Sequence, residues 1–314
     1  MVSKSMKEEI ERPHFWSWAT LRLNQNNQKE VLESALVRLV PGLQVFDSHS
    51  TRQLFTAMQK KTDKFKPLVK INIWSSNLRE LDPALFLAVG RLRVCHLDNC
   101  SLTNDQKATI FSVIQDREDL QLRDLNIWGR LVDMSSLEPG LFRSLVRLES
   151  CRLGYTRLTT EQVSAIFSAI QESENLKLRH LNISWNNLSS LQPPLFRSVL
   201  SLASCHLGDT RLTPQQVSNI FTAIQETEDL KLQDLNISGV NVSSLEPGLL
   251  RSVVRLASCD LSYTRLTPQQ VSTIFMAIEE TKDVKLRSLN ISGIDVAFLE
   301  PGLHQSVGKV KIKY

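Results

Sequence analysis

The chain has 314 residues, 42% of them apolar, so it can bury a substantial core, and 37 Lys plus Arg against 33 Asp plus Glu leave a net charge of only +4. That balance, without a long basic run, argues against nucleic-acid binding. No run of about 18 apolar residues is present to form a membrane-spanning helix.

The N-terminal residues Met1–Ile10 are charged and lack the apolar stretch of a secretory signal. Five cysteines, four of them recurring at repeat spacing, point to free thiols in a reducing compartment and hence to the cytoplasm. Residues 1–35 fit the later pattern poorly and include His14, Phe15, Trp16 and Trp18 within five residues. They are expected to form an N-terminal cap and a degenerate first repeat, with the repeat domain covering 36–314.

From there the chain repeats itself. Ile71-Asn-Ile-Trp74 returns as Leu125-Asn-Ile-Trp128, Leu181-Asn-Ile-Ser184, Leu235-Asn-Ile-Ser238 and Leu289-Asn-Ile-Ser292, at spacings of 54, 56, 54 and 54 residues. The longer interval holds two extra residues within Arg130–Met134. Between the copies runs a second motif, Leu92-x-x-Cys95-x-Leu97, repeated at Leu148, Leu202 and Leu256. The unit is therefore a pair of unlike repeats of about 24 and 30 residues.

Period-two alternation predicts short strands with one buried face. Leu, Ile and Cys point inward; Cys95, Cys151, Cys205 and Cys259 act there as small hydrophobes. Asn186 is expected to turn its amide inward and bond the backbone where the chain leaves the strand, and Thr156, Thr210 and Thr264 to do so through hydroxyls. The longer repeat then continues into a helix. Thr267-Pro268-Gln269-Gln270 reads as a capping box with proline at the first helical position. Val271, Ile274, Phe275 and Ile278 follow as one apolar stripe, which the first copy alters by placing Lys107 at its first position. In the shorter repeat, segments such as Leu245-Glu-Pro-Gly-Leu249 permit only a turn or short helix. The ending Val310-Lys-Ile-Lys-Tyr314 aligns with Leu256-Ala-Ser-Cys-Asp260 and is expected to be one more strand.

These strands, x-x-Cys-x-Leu steps and helices resemble the ribonuclease-inhibitor type of leucine-rich repeat, also found in NOD-like receptors and Ran GTPase-activating protein. The resemblance covers roughly residues 36–314. It implies an α/β horseshoe solenoid with parallel strands on the concave face and helices and short turns on the convex face. It also implies binding of a protein partner, in a sensor or scaffold of the NOD-like-receptor kind, or regulation of an enzyme such as a small GTPase or ribonuclease.

Outward residues of stacked strands form columns. The candidate binding residues are Trp74, Trp128 and Trp185, Tyr155 and Tyr263, Arg152, His206 and Asp209, and the Arg157, Arg211, Arg265 column. Trp, Tyr and Arg are the residues most often found as interface hot spots. The Asn72, Asn126, Asn182, Asn236, Asn290 column is expected to bond amide to amide and to support the stack. No catalytic signature, cofactor motif or metal-ligand spacing is found. His180 and His206, with Asp209 and Asp234 nearby, are expected to lie on a shallow face rather than in a pocket. No small-molecule substrate is therefore expected.

Overall fold

The computed structural model describes residues 20–23, 42–45, 48–60, 69–294 and 310–314. They fall into two units, Met1–Thr156 and Arg157–Tyr314. Most of the expected N-terminal cap, including His14–Trp18, lies outside the described residues.

In the first unit β1 (Thr20–Leu23), β2 (Gly42–Val45), β3 (Lys70–Trp74), β4 (Val94–Asp98), β5 (Asp124–Asn126) and β6 (Ser150–Arg152) pair in parallel, each with the next. In the second, β7 (His180–Asn182), β8 (Ser204–His206), β9 (Asp234–Asn236), β10 (Ser258–Asp260), β11 (Ser288–Asn290) and β12 (Lys311–Lys313) do the same. Strands of the short and long repeats therefore alternate within each unit. The ending is a strand as expected, but one residue out of the expected register. Ile312, not Lys313, pairs with the core position Leu289, because a one-residue slip would turn a lysine inward.

The helices α1 (Ser48–Lys60) and α2 (Asn104–Asp116) belong to the first unit, and α3 (Thr160–Glu172), α4 (Pro214–Glu226) and α5 (Pro268–Glu280) to the second. Each of α2 to α5 begins with the reciprocal Thr–Gln capping box. The short repeats return through 3-10 helices at Pro83–Arg91, Pro139–Arg147, Pro193–Ser201 and Pro247–Arg255. Phenylalanines from the two kinds of helix meet in the core: Phe111 lies 4.7 Å from Phe142 and Phe167 5.5 Å from Phe196. Such pairs add about 0.5–1.5 kcal/mol beyond their area.

Three contacts fasten the repeats beyond the hydrophobic core. The capping-box glutamines are buried, and the amides of Gln106, Gln216 and Gln270 reach back to the preceding short repeat. Gln216 Nε2 donates to the Leu188 and Leu191 carbonyls at 2.9 and 2.7 Å, and Gln270 Nε2 to those of Val242 and Leu245 at 2.8 and 2.7 Å. Gln106 does the same to Leu78 and Leu81. One side chain thus closes a helix and satisfies two turn carbonyls that water cannot reach. Arginines at the ends of two 3-10 helices grip the last carbonyls of the preceding α-helix. Arg147 Nη1 donates to Ile114 and Gln115 of α2, and Arg255 Nη1 to Ile224 and Gln225 of α4. Finally, Lys107 is buried with its ammonium on the Asp133 carbonyl. The lysine in the apolar stripe thus keeps its ammonium hydrogen-bonded at the turn of the following short repeat. Desolvation by burial lowers the Lys107 pKa.

The inward turns behave as expected. Asn186 Nδ2 donates to the Ile183 carbonyl at 2.9 Å and its Oδ1 accepts from Leu158 N. Thr156, Thr210 and Thr264 donate to the Leu153, Leu207 and Leu261 carbonyls at 2.7, 2.5 and 2.5 Å. Cys100 takes the place of that Thr and offers its thiol to the Ile73 carbonyl at 3.5 Å.

The outward asparagines do not bond one another. Strands of the other repeat type separate them, so Asn236 and Asn290 both donate to Asp260 on the strand between. In Asn126, Asn182, Asn236 and Asn290 the Oδ1 instead accepts the backbone N–H two residues on, as in Asn126 with Trp128 at 3.1 Å and Asn182 with Ser184 at 3.0 Å. Asn182, Asn236 and Asn290, which stand in Asn-Ile-Ser triplets, are strand residues.

Candidate protein-binding surface

In the first unit the open strand face is a grid. A lower row contains Lys70, Val94, Asp124 and Ser150; a middle row Asn72, His96, Asn126 and Arg152. In the upper row Trp74 stands beside Asp98, and the 2.6 Å bond from Asn99 N to the Trp128 carbonyl sets Trp128 on the other side of Asp98. Trp74 is 57% and Trp128 42% exposed, a large exposure for indole.

The middle of this grid is polar and half-buried. Asn126 Nδ2 donates to Asp98 Oδ1 at 2.7 Å, and His96 Nε2 lies 3.4 Å from Asp124 Oδ2. Asn72 Oδ1, Asp124 Oδ1 and His96 Nε2 are buried atoms with no hydrogen bond of good geometry. Burial raises the Asp98 pKa, countered in part by His96, the Asn126 bond and Arg152. For Asp124, burial would raise it too, but the His96 contact and the Arg152 charge outweigh that and its pKa is lowered.

One residue beyond the upper row the backbone turns. Ser75, Asn99, Gly129 and Tyr155 there all have positive φ, as do Trp185, Asp209, Gly239, Tyr263 and Gly293 in the second unit. At Gly129, a Cβ would sit 2.7 Å from Asn99 Cα, so the close strand approach requires glycine. Tyr155, Trp185 and Tyr263 hold φ of 63°, 62° and 58°, a conformation that costs an L-residue roughly 1–2 kcal/mol. Bulky residues kept in strained backbone are a pointer to function.

The candidate residues are thus exposed or half-exposed, but not as the separate columns expected. Trp74 and Trp128 flank Asp98. Tyr155 is half-buried, with the Arg130 guanidinium 5.1 Å from its ring centre. Arg152 follows Asn126 in the middle row. In the second unit Trp185, Asp209 and Tyr263 share the turn row, with Gly239 between the last two, and burial raises the Asp209 pKa. His206 stands between Asn182 and Asn236 in the middle row. Arg157, Arg211 and Arg265 are exposed two residues past that row, again with positive φ, and Asn187 and Asn241 hold the equivalent places between them. Reading each repeat type separately missed Asp98 and Arg130.

Among the described residues no three His, Cys, Asp or Glu side chains gather as metal ligands would, and no helix is long and apolar enough to cross a membrane. The five cysteines are buried and unbridged. Burial pushes the Cys100 thiol up to about 11 and that of Cys205 to about 12, and raises Cys95, Cys151 and Cys259 as well.

A family model described as Leucine Rich Repeat matches residues 177–199, which carry β7 and the turn after it. The chain carries leucine-rich repeats. Its alternating strands and helices are of the ribonuclease-inhibitor-like type. It is 27% identical over 207 residues to lumican from Homo sapiens, covering 61% of this chain and 57% of lumican. It is 24% identical over 212 residues to ribonuclease inhibitor from Sus scrofa, covering 62% of this chain and 45% of the inhibitor. The chain therefore spans about half the length of these curated relatives. A crystal structure of an internalin (inlF) from Listeria monocytogenes matches with 12% identity and a TM-score of 0.45, over 80% of this chain and 81% of that one. Leucine-rich-repeat proteins are protein-interaction modules.

Proposed function

We propose that this chain recognises a protein partner through the open face of its strands, within an intracellular sensor or scaffold of the kind NOD-like receptors contain. The observation that carries the reading is the set of exposed large aromatics on and beside that face: Trp74, Trp128, Trp185 and Tyr263, at 57, 42, 54 and 68% exposure. Exposed indole and phenol rings on a rigid surface are suited to become the buried centre of an interface. Arg152, His206, Asp209, Tyr155 and the three turn arginines supply the polar surround. The reducing, cytoplasmic setting is supported by five buried thiols without a disulfide.

A second reading, regulation of an enzyme, is favoured by the similarity to a protein named ribonuclease inhibitor. Electrostatic complementarity to a cationic ribonuclease would call for an acidic chain, and this one carries +4. Inhibition of a ribonuclease or stimulation of a small GTPase by the purified chain would select this reading.

The test is a pull-down from matched cell extract with wild type and Trp128→Ala/Trp185→Ala, after circular dichroism shows both folded. Proteins held by wild type and lost by the variant support the open face as the binding site. The same proteins held by both place it elsewhere and overturn the proposal.

A further inference from the structure

We infer that Trp74, Asp98 and Trp128 form a seat for one basic side chain, an arginine or lysine, of the protein partner; this rests on the binding function proposed above. The three residues occupy the upper row of three successive strands. Strands lie about 4.8 Å apart, so the two tryptophan backbones stand roughly 9–10 Å apart across the aspartate. That separation leaves room between the two exposed tryptophans for a flat guanidinium or an alkyl-ammonium stem. Rings of this kind attract cations through their negative faces, most strongly when water is excluded, and the carboxylate at the floor supplies the counter-charge.

A second observation points the same way. Asp98 is half-buried and receives one side-chain hydrogen bond, the Asn126 amide at its Oδ1. A carboxylate has two oxygens and about four acceptor sites, so a partner donor can still be accommodated there. A guanidinium brings five N–H groups and no acceptor. An acidic or purely apolar partner group would leave that capacity unused. The basic residues nearby do not fill that space: Arg130 is stacked on Tyr155, and Arg152 stands in the middle row. In the second unit the upper-row positions hold Ser184, Gly208, Ser238, Ser262 and Ser292, so no such seat recurs there.

The experiment follows the indole N–H signals of the full chain by NMR, with Trp74 and Trp128 assigned by Trp→Phe variants. Three probes are titrated: N-acetyl-arginine amide, N-acetyl-lysine amide and the neutral N-acetyl-citrulline amide. The expected result is saturable shifts of the Trp74 and Trp128 signals with arginine or lysine and none with citrulline, and a loss of at least about tenfold in affinity in Asp98→Asn. Equal shifts with citrulline, an unchanged affinity in Asp98→Asn, or no saturation by any probe would overturn the seat. Pull-downs with Asp98→Asn and Trp74→Ala/Trp128→Ala separate this inference from the broader one. A partner lost by the tryptophan variant but fully held by Asp98→Asn overturns the basic anchor and leaves the binding face standing. A partner held by both variants, and by Trp128→Ala/Trp185→Ala as well, overturns both.

Discussion

The two units share one interior and differ on their open faces. The strand cores read Ile or Leu, Cys, Leu in the same places, α2 to α5 keep the capping box, and Phe111–Phe142 in the first unit is matched by Phe167–Phe196 in the second. The upper row runs Trp74, Asp98, Trp128 in the first unit but only serines and a glycine in the second, where the large groups Trp185 and Tyr263 have moved onto the turn. The scaffold is thus repeated for stability, and the outward residues are free to be specialised for contact. The comparison teaches that neither half of a repeat can be assigned a role without knowing which strand lies beside it.

The largest expected effect sits in the shared interior. Phe196→Ala should destabilise by about 3–5 kcal/mol in urea unfolding, because the Phe167 ring loses its neighbour and a cavity remains. Trp74→Ala, at an exposed upper-row site, should cost under about 1 kcal/mol. Equal losses would break the division between scaffold and surface. Next comes the glutamine clasp. Gln216→Leu keeps the volume but strands two buried carbonyls and opens the capping box, and a loss of about 2–3 kcal/mol is expected. A change within about 0.5 kcal/mol would show that these bonds add nothing beyond packing.

The turn row yields a smaller, sharper test. Tyr263 is held at φ 58°, while its short-repeat counterparts Gly239 and Gly293 relieve that conformation. Tyr263→Gly should be more stable than Tyr263→Ala by up to about 1 kcal/mol, the reverse of the usual order. Similar in size is a missing clamp. Ser201 ends its 3-10 helix where Arg147 and Arg255 end theirs, and α3 lacks the arginine that grips α2 and α4. Ser201→Arg should raise stability by about 0.5–1 kcal/mol.

The smallest effect concerns Asp98. Its pKa is raised in the fold, so its ionised form is disfavoured there and the folded state holds its proton at higher pH than the unfolded chain. Any penalty is absent below the unfolded pKa, sets in as pH rises through the raised folded value, and is complete above it. Asp98→Asn should therefore match or exceed wild-type stability at pH 7, with the advantage fading on acidification. A variant less stable than wild type at pH 7 would contradict this and make the carboxylate a structural group.

Much of this was legible in the sequence. Period-two alternation located the strands, Thr-Pro-Gln-Gln located the helix starts, and prolines such as Pro247 limited the short repeat to a 3-10 helix. Those signals are local and depend on backbone geometry alone. What was not legible depends on neighbours across the sheet. Alternation of the two repeat types placed Asp98 between Trp74 and Trp128 and Asp260 between Asn236 and Asn290, which neither repeat type shows by itself. The Gln216 reach to Leu188 and the Arg255 grip on α4 join residues about 28 and 31 apart, and nothing in a capping motif or a terminal arginine names those partners. The C-terminal register slipped by one because Val310 was matched to the leucine that opens the motif, which puts Lys313 at the core position, whereas the strand pairs Ile312 with Leu289.

The most direct test of a strand-face interface is calorimetry with the captured partner. Wild type is compared with Trp74→Ala/Trp128→Ala on the strand face and with Leu87→Glu/Met276→Glu on exposed apolar residues of the helices. The account predicts an affinity loss of at least about tenfold in the tryptophan variant and a change within about twofold in the helix-face variant, all three chains remaining folded. The opposite pattern, with the helix-face variant losing the partner and the tryptophan variant keeping it, would contradict the account.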